Sequence, residues 1–437
     1  MKRLPWLLSA LFLALPAHAA DLLQIYRDAL DNDPTLAAAR ATTDAGLERK
    51  SQGLAGLLPS LSLSGNTSSN HADISSGGVS FNRNYNSNSY TLSLSQPLFR
   101  WQNWVGYDQS KLVAAQAEAQ FVLAQQDLML RVAQAYFDVL YANENLKALK
   151  SQKTAISQQL EQAKKNFEVG TSTITDTHEA QSRYDLAQAQ EIAGESDLEV
   201  KRAALQAIIG RSAPLLAPLR TTTRLSPPQP SGMDSWVQSA EQNSLSVQIK
   251  QLAADVAAKE VSRIRAGHFP TLDLVANSGK TANSVASAPS EVQFNNIGLQ
   301  LTLPIYQGGM VSSQEREAAA KRQAALSDLD AARRSAALGA RQSYLGVVNG
   351  LAQVRALEAA QVSSQSALDA NKLGYDVGVR INIDVLNAEQ QVYGTRRDLA
   401  KARLDTLMAQ LKLKAAIGAL AEADLQQINA LLDSSAR

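Results

Sequence analysis

The fold of this chain is decided by a stretch near its C-terminal end, which reads YDVGVRINIDVLN over residues 375–387. On both sides the sequence is rich in Ala, Leu, Gln, Lys and Arg, which is the composition of a long helix. Gly378 interrupts this pattern, and glycine is the residue with which helices most often enter the left-handed region at their C-terminal end. The stretch therefore predicts a tight reversal between two long antiparallel helices.

The same design occurs earlier in the chain, where residues 167–176 read FEVGTSTITD. In both copies an aromatic residue, an acid and a valine precede the glycine, which is Gly170 in the first copy, and an aspartate follows six residues later. Residues 167–210 align with residues 375–418 without a gap. The sequence thus predicts two helical hairpins that carry acidic residues at their tips.

These hairpins belong to a tandem duplication. The first repeat is assigned to residues 20–220 and the second to residues 221–437, with a proline-rich seam at residues 211–232 that predicts an extended connector. Each repeat is expected to contain short helices, two strands and two long helices, and a short helix follows at the C-terminal end. The predicted strands cover residues 60–71, 85–97, 270–280 and 293–304, joined within each pair by polar loops. The predicted long helices cover residues 98–168, 172–210, 305–375 and 380–418.

Residues 1–19 have the pattern of a secretory signal peptide, with a charged start, an apolar core too short to span a bilayer and a small-x-small cleavage site. The 437 residues include no cysteine, which excludes disulfides, a thiol nucleophile and cysteine metal sites. A net charge of +1 gives no reason to expect nucleic-acid binding. The four histidines show no ligand spacing, and the sequence has no glycine-rich phosphate loop and no nucleophile elbow, so neither a metal, a cofactor nor an enzymatic activity is predicted.

The long helices and the strands together predict an oligomer. A helix over residues 98–168 would be about 100 Å long, which is typical of a coiled coil, and its two offset apolar seams predict a neighbouring helix on each side. The strands alternate with period two, as do soluble hairpins with one buried face. If they span a membrane, four strands cannot close a barrel, which needs about eight, so several chains would have to share one barrel and one helical tube.

Four aromatic residues follow the predicted strands directly, where an aromatic belt at the inner membrane interface is expected. The alternative is ordinary packing at the strand-to-helix junctions. These residues are Phe99, Trp101, Trp104 and Tyr306.

The mature chain resembles the TolC family of trimeric outer-membrane channel-tunnels for efflux and type I secretion. The resemblance is carried by LPIYQGGMV at residues 303–311, FPTLDL at residues 269–274 and GVRINIDVL at residues 378–386. It implies a mainly α chain with a membrane β-barrel part. Three such chains form a homotrimer with a twelve-stranded barrel, to which each chain contributes four strands. The barrel continues into a coiled-coil tunnel with a mixed equatorial region. It also implies outer-membrane lipid, a periplasmic adaptor, and an inner-membrane drug pump or ABC secretion ATPase as partners.

The resemblance also gives the hairpin tips a role, as a gate that closes the periplasmic entrance. It implies that Tyr375 and Arg380 of the second hairpin engage Asp176 and Thr175 of the first, against the alternative of a solvated surface pair. Asp384 matches the constriction aspartate of the family, which rings the pore.

The chain departs from the family at one position of the constriction. Where the family archetype has a second aspartate, this chain has Asn387, one helical turn after Asp384. Three charges are therefore lost per trimer, which predicts weaker cation block and weaker selectivity than the family implies.

Two other functions remain open from the residues. One is a structural trimeric coiled-coil envelope protein without a conduit. The other is a self-contained porin, which the four-strand count opposes.

Overall fold

A computed structural model describes residues 19–220, 223, 225–283 and 290–433. The predicted signal peptide lies outside these residues except for Ala19. The first half contains helices and strands in the order α1 Leu22–Asn32, α2 Pro34–Ala55, β1 Ser60–Ser76, β2 Val79–Phe99, α3 Trp101–Glu168 and α4 Ile174–Ile209. The second half repeats that order with α5 Met233–Asn243, α6 Leu245–Arg265, β3 Thr271–Asn283, β4 Ser290–Thr302, α7 Met310–Asp376 and α8 Asn382–Ala416, and α9 Glu422–Asn429 follows.

The element lengths bear out the duplication. The paired long helices have 68 and 67 residues in α3 and α7, and 36 and 35 residues in α4 and α8. Both hairpin reversals lie where the sequence predicts them, and the long helices end within about five residues of the predicted bounds, the ordinary scatter for boundaries.

The chain divides into two compact units. The first comprises the described residues within 19–37, 124–240 and 337–433, and the second comprises those within 38–123 and 241–336. The first unit contains both hairpin tips, and the second contains the sheet. Among the described residues, no helix is both long enough and apolar enough to cross a membrane.

The sheet of the second unit has four antiparallel strands in the order β1-β2-β3-β4. The register brings leucines opposite one another, as in Leu61 with Leu94 and Leu272 with Leu301. Because side chains alternate between the faces of a sheet, these residues share one face. Several of that face's side chains are exposed in the single chain, with Leu63 at 73% and Leu299 at 66%. This exposed apolar face needs a cover that one chain does not supply.

The strands β1 and β2 are longer than the sequence predicts. The polar segment of residues 71–84, which we predicted to be a loop, continues both strands to a two-residue turn at Gly77 and Gly78, with φ of 60° and 83°. Two central residues with positive φ are what a tight hairpin turn requires. Side chains such as Ser75 and Ser80, whose hydroxyl oxygens lie 2.6 Å apart, bridge the strands. The prediction was wrong here because polar residues occupy both faces, which removes the period-two signal.

In the first unit, the first part of the proline-rich seam is extended. Leu216 pairs with Ala20 and Leu219 pairs with Leu432, each in a β-bridge, which confirms the extended connector for this part of the seam. The Tyr136 hydroxyl oxygen lies 2.8 Å from the carbonyl oxygen of Ala217, and the side chain is fully buried. Tyr136 of α3 thereby anchors the connector to the helices.

Candidate functional site

The first hairpin tip is a closed and self-satisfied turn. Gly170 has a φ of 78°, and the Thr171 amide donates to the carbonyl oxygen of Asn166 at 2.8 Å, which ends α3. Helix α4 then begins with a capping box. The Asp176 amide donates to the Thr173 hydroxyl at 3.3 Å, and the Asp176 carboxylate accepts from the Thr173 amide at 3.0 Å. The carboxylate of Asp176 is therefore used within its own hairpin.

The second tip has the same turn but a different helix start. Gly378 has a φ of 78°, and the amides of Val379 and Arg380 donate to the carbonyl oxygen of Gly374 at 2.9 and 3.0 Å. The N-cap residue of α8 is Ile381, which forms no side-chain cap because it has no side-chain oxygen. Asp384 stands at the position that Asp176 holds in the first hairpin, but no capping box captures its carboxylate.

The carboxylate of Asp384, which is not part of a capping box, lies 3.7 Å from the Arg380 guanidinium. Both side chains are partly exposed, at 34% for Asp384 and 58% for Arg380. An exposed pair of this kind is worth about 0.5 kcal/mol or less. Asp384 is thus only weakly held and stays available to solutes near the tip.

Hydrogen bonds from two side chains, Asn166 and Arg183, join the hairpins near the tip. The side-chain amide of Asn166 donates to the Tyr375 hydroxyl at 3.1 Å, which links α3 to α7. The Arg183 guanidinium of α4 donates to the Asn387 side-chain oxygen of α8 at 3.3 Å, and also to that of Gln390 at 3.1 Å. Sequence reasoning missed Asn166 and Arg183. The available signals were the position of Asn166 beside the tip aromatic, and the spacing of Arg183, which lies two helical turns after Asp176 on the same face.

Apolar packing supports these contacts. Leu386 of α8 is buried against Ile156 of α3 and Ala187 of α4, so the residue next to Asn387 is fixed between the helices. Farther along α8, the Glu389 carboxylate is buried and lies 2.9 Å from the Lys372 ammonium of α7. The face of α8 that carries these residues is therefore held on both sides.

The predicted latch pairs are not formed within one chain. Among the described contacts, Tyr375 bonds to Asn166 instead of Asp176, and Arg380 pairs with Asp384. The physical reason is that the capping box consumes Asp176, while Thr175 beside it is exposed. A pairing of Tyr375 and Arg380 with Asp176 or Thr175 between chains stays a prediction.

The four predicted interface aromatics lie in the second unit, and all are exposed. Their exposed fractions range from 43% for Phe99 to 85% for Tyr306, with Trp101 at 46% and Trp104 at 52%. Exposure of four large aromatic side chains at the strand-to-helix junctions argues against ordinary packing inside one chain. Their place at a membrane interface stays a prediction. Among the described residues, no group of His, Asp and Glu is placed to hold a metal ion within one chain.

The comparison with known proteins matches this architecture. A family model described as outer membrane efflux protein matches residues 25–211 and 236–419, one segment in each repeat. The chain belongs to the outer membrane efflux protein family. Outer membrane protein TolC of Vibrio cholerae is 35% identical, with 98% of this chain and 98% of that protein covered. Alkaline protease secretion protein AprF of Pseudomonas aeruginosa is 33% identical, with 98% and 92% covered.

The solved structures confirm the predicted fold class. The Campylobacter jejuni CmeC outer membrane channel matches with a TM-score of 0.80 at 18% identity, and the match covers 95% of this chain and 90% of that one. The fold is that of a channel-tunnel, with a mainly helical tunnel part and a β-barrel part.

Proposed function

We propose that this member of the efflux family is the outer-membrane exit duct of tripartite efflux or type I secretion assemblies. It works as a homotrimer, with a periplasmic adaptor and an inner-membrane pump or ABC secretion ATPase as partners. The relatives support this assignment, since their names include outer membrane and protease secretion proteins. Transport through the duct is passive, and no enzymatic activity is proposed.

The observation that carries the proposal is the four-stranded sheet with one exposed apolar face. Leu61, Leu63 and Leu299 expose 67%, 73% and 66% of their surface in the single chain, while the opposite face carries serines such as Ser62 and Ser93. Burial of such a face in lipid removes it from water, and three chains would supply twelve strands, enough to close a barrel around a polar lumen. Outer-membrane lipid is therefore a proposed partner, whereas nucleic acid is not.

A deletion strain tests the proposed function directly. Loss of the gene is expected to increase drug sensitivity or to abolish a secreted protein in the medium, and a plasmid copy is expected to restore the lost trait. Trimers should be extracted from the outer membrane only by detergent. If the complemented strain contains the trimer but shows the same drug sensitivity and the same secreted proteins as the deletion strain, the chain is a structural envelope protein and not a conduit.

We further propose that the tips form the periplasmic gate and that Arg380 contacts Asp176 or Thr175 of a neighbouring chain. Arg380→Ser combined with Asp176→Ala is expected to raise the resting conductance of purified trimers in planar lipid bilayers severalfold, because three charge-assisted contacts are lost around the ring. The matched control is Arg396→Ser with Asp185→Ala, which changes the same residue types farther from the tips. Equal resting conductance in the latch variant and the control would exclude the latch.

A further inference from the structure

The side chain of Arg183 makes a bridge that the family resemblance does not assign. Its guanidinium donates to Glu179 of the same helix at 3.0 Å, and to Asn387 and Gln390 of α8 at 3.3 and 3.1 Å. Only 29% of the Arg183 side chain is exposed. A planar guanidinium with several partners is held in one orientation more firmly than a single ion pair would hold it.

The bridge ends on a residue that matters for the proposed constriction. Asn387 follows Asp384 by three positions on α8, so the two lie on neighbouring parts of one helix face. Arg183 therefore brings a positive charge to within about one helical turn of the proposed carboxylate ring. The charge of Arg183 is shared with Glu179, and no other charged group accepts from it among the described contacts.

We propose that Arg183 is a positioning residue of the constriction, which holds the side chain of residue 387 against α4 and determines the charge that this position presents to solutes. This inference rests on the proposed function. With asparagine at position 387 the contact is a hydrogen bond from a charged donor to a neutral acceptor. With aspartate it would become a charge-assisted pair, which is shorter and stronger.

The inference changes what a carboxylate at position 387 is expected to do. The sequence alone predicts that Asn387→Asp adds three charges per trimer and strengthens cation block. With Arg183 at hydrogen-bonding distance, each new carboxylate is partly offset by a guanidinium that it shares with Glu179, and the new ion pair joins the two hairpins more firmly. A gain in block is expected only when Arg183 is removed as well.

The test measures block by a trivalent cobalt complex in planar lipid bilayers for the full-length trimer. Asn387→Asp alone is expected to stay within twofold of the wild-type half-blocking concentration. Asn387→Asp combined with Arg183→Gln is expected to lower that concentration at least tenfold. The matched control combines Asn387→Asp with Arg202→Gln, which removes the same charge from α4. Among the described contacts, Arg202 pairs only within its own helix. The inference is overturned if Asn387→Asp alone blocks as strongly as the double variant with Arg183→Gln.

A second readout does not depend on conduction. The thermal midpoint of the detergent-solubilised trimer is expected to rise with Asn387→Asp when Arg183 is present, and not to rise in the Arg183→Gln background. An equal change in both backgrounds would overturn the inference, and Arg183→Met replaces Arg183→Gln if the latter fails to assemble. Failure of the proposed constriction has a different signature, because Asp384→Asn would then leave block unchanged while the thermal coupling between positions 183 and 387 remained.

Discussion

Replacing Asp384 by asparagine is expected to raise the half-blocking concentration of a trivalent cobalt complex at least tenfold. The reason is that the second hairpin leaves this carboxylate outside a capping box. Ile381 at the N-cap of α8 offers no side-chain oxygen, and among the described contacts Asp384 pairs with the exposed Arg380 at 3.7 Å. In the proposed trimer, three such carboxylates would surround the axis and hold a cation together.

The size of the effect follows from Coulomb's law. In water, a trivalent cation at about 6 Å from one carboxylate gains about 2 kcal/mol before salt screening. Three carboxylates, screened by about half, therefore supply about 3 kcal/mol, which corresponds to more than a hundredfold in affinity. Competition from Arg380 reduces this figure, because it neutralises part of each charge, and at least tenfold is the expected remainder.

The matched control for this prediction is Asp398→Asn. Asp398 is an exposed carboxylate of the same helix that pairs with Arg397, and it lies 14 residues after Asp384. That separation is about 21 Å along a helix, roughly twice the screening length at 0.1 M salt. The control should therefore leave block unchanged. Block that is equally strong in wild type and Asp384→Asn would place the cation site elsewhere in the tube.

The parts of the site that the sequence could predict are those with a local cause. Helix bounds and both reversals follow from local signals such as Gly170 and Gly378, which act through the backbone of their own segment. The different fates of Asp176 and Asp384 also have a local cause, since Thr173 can cap a helix and Ile381 cannot. A capping box depends on two residues three positions apart, so the sequence alone could have predicted this difference between Asp176 and Asp384.

Contacts between the hairpins could not be predicted in the same way. Arg183 meets Asn387 from more than 200 positions away, and Asn166 meets Tyr375 across a similar separation. Which polar side chains meet depends on the rotation of each helix about its axis, and the Ala-rich seams of the sequence do not fix that rotation. The buried residue Leu386 settles it, because its packing against Ile156 and Ala187 turns Asn387 toward α4.

Asp33→Ala is expected to cause a large loss of stability in the first unit. The Asp33 carboxylate is buried, with 1% of its side chain exposed, and lies 2.7 Å from the Arg131 guanidinium. It also caps α2, because the amides of Thr35 and Leu36 donate to it at 2.6 and 3.3 Å. Loss of a helix cap costs about 1 kcal/mol, and loss of a buried ion-pair partner costs about 3 kcal/mol or more. Since Arg131 is partly solvated, a total of about 3 kcal/mol is expected.

Asp127 provides the matched control. The Arg131 guanidinium also contacts the Asp127 carboxylate at 2.9 Å, but 60% of the Asp127 side chain is exposed. Exposed pairs contribute little, so Asp127→Ala should lower the free energy of unfolding by no more than about 1 kcal/mol. The thermal midpoint of the detergent-solubilised protein should therefore fall much less than with Asp33→Ala. If both substitutions lower the midpoint equally, burial of Asp33 is not what makes its pair with Arg131 important.

The same pair gives the stability a defined pH dependence. Burial alone would raise the pKa of the Asp33 carboxyl, but the hydrogen bond and charge of Arg131, with the amides of Thr35 and Leu36, lower that pKa below its ordinary value. A carboxyl whose pKa is lowered by folding stabilises the protein above the unfolded pKa of about 4, and this contribution disappears as the pH falls through the lower folded pKa. Asp33→Asn keeps a side-chain oxygen for the cap but has no proton to gain. Its thermal midpoint should therefore fall less steeply than that of the wild type between about pH 5 and pH 2, and parallel curves would show that Asp33 does not carry this acid sensitivity.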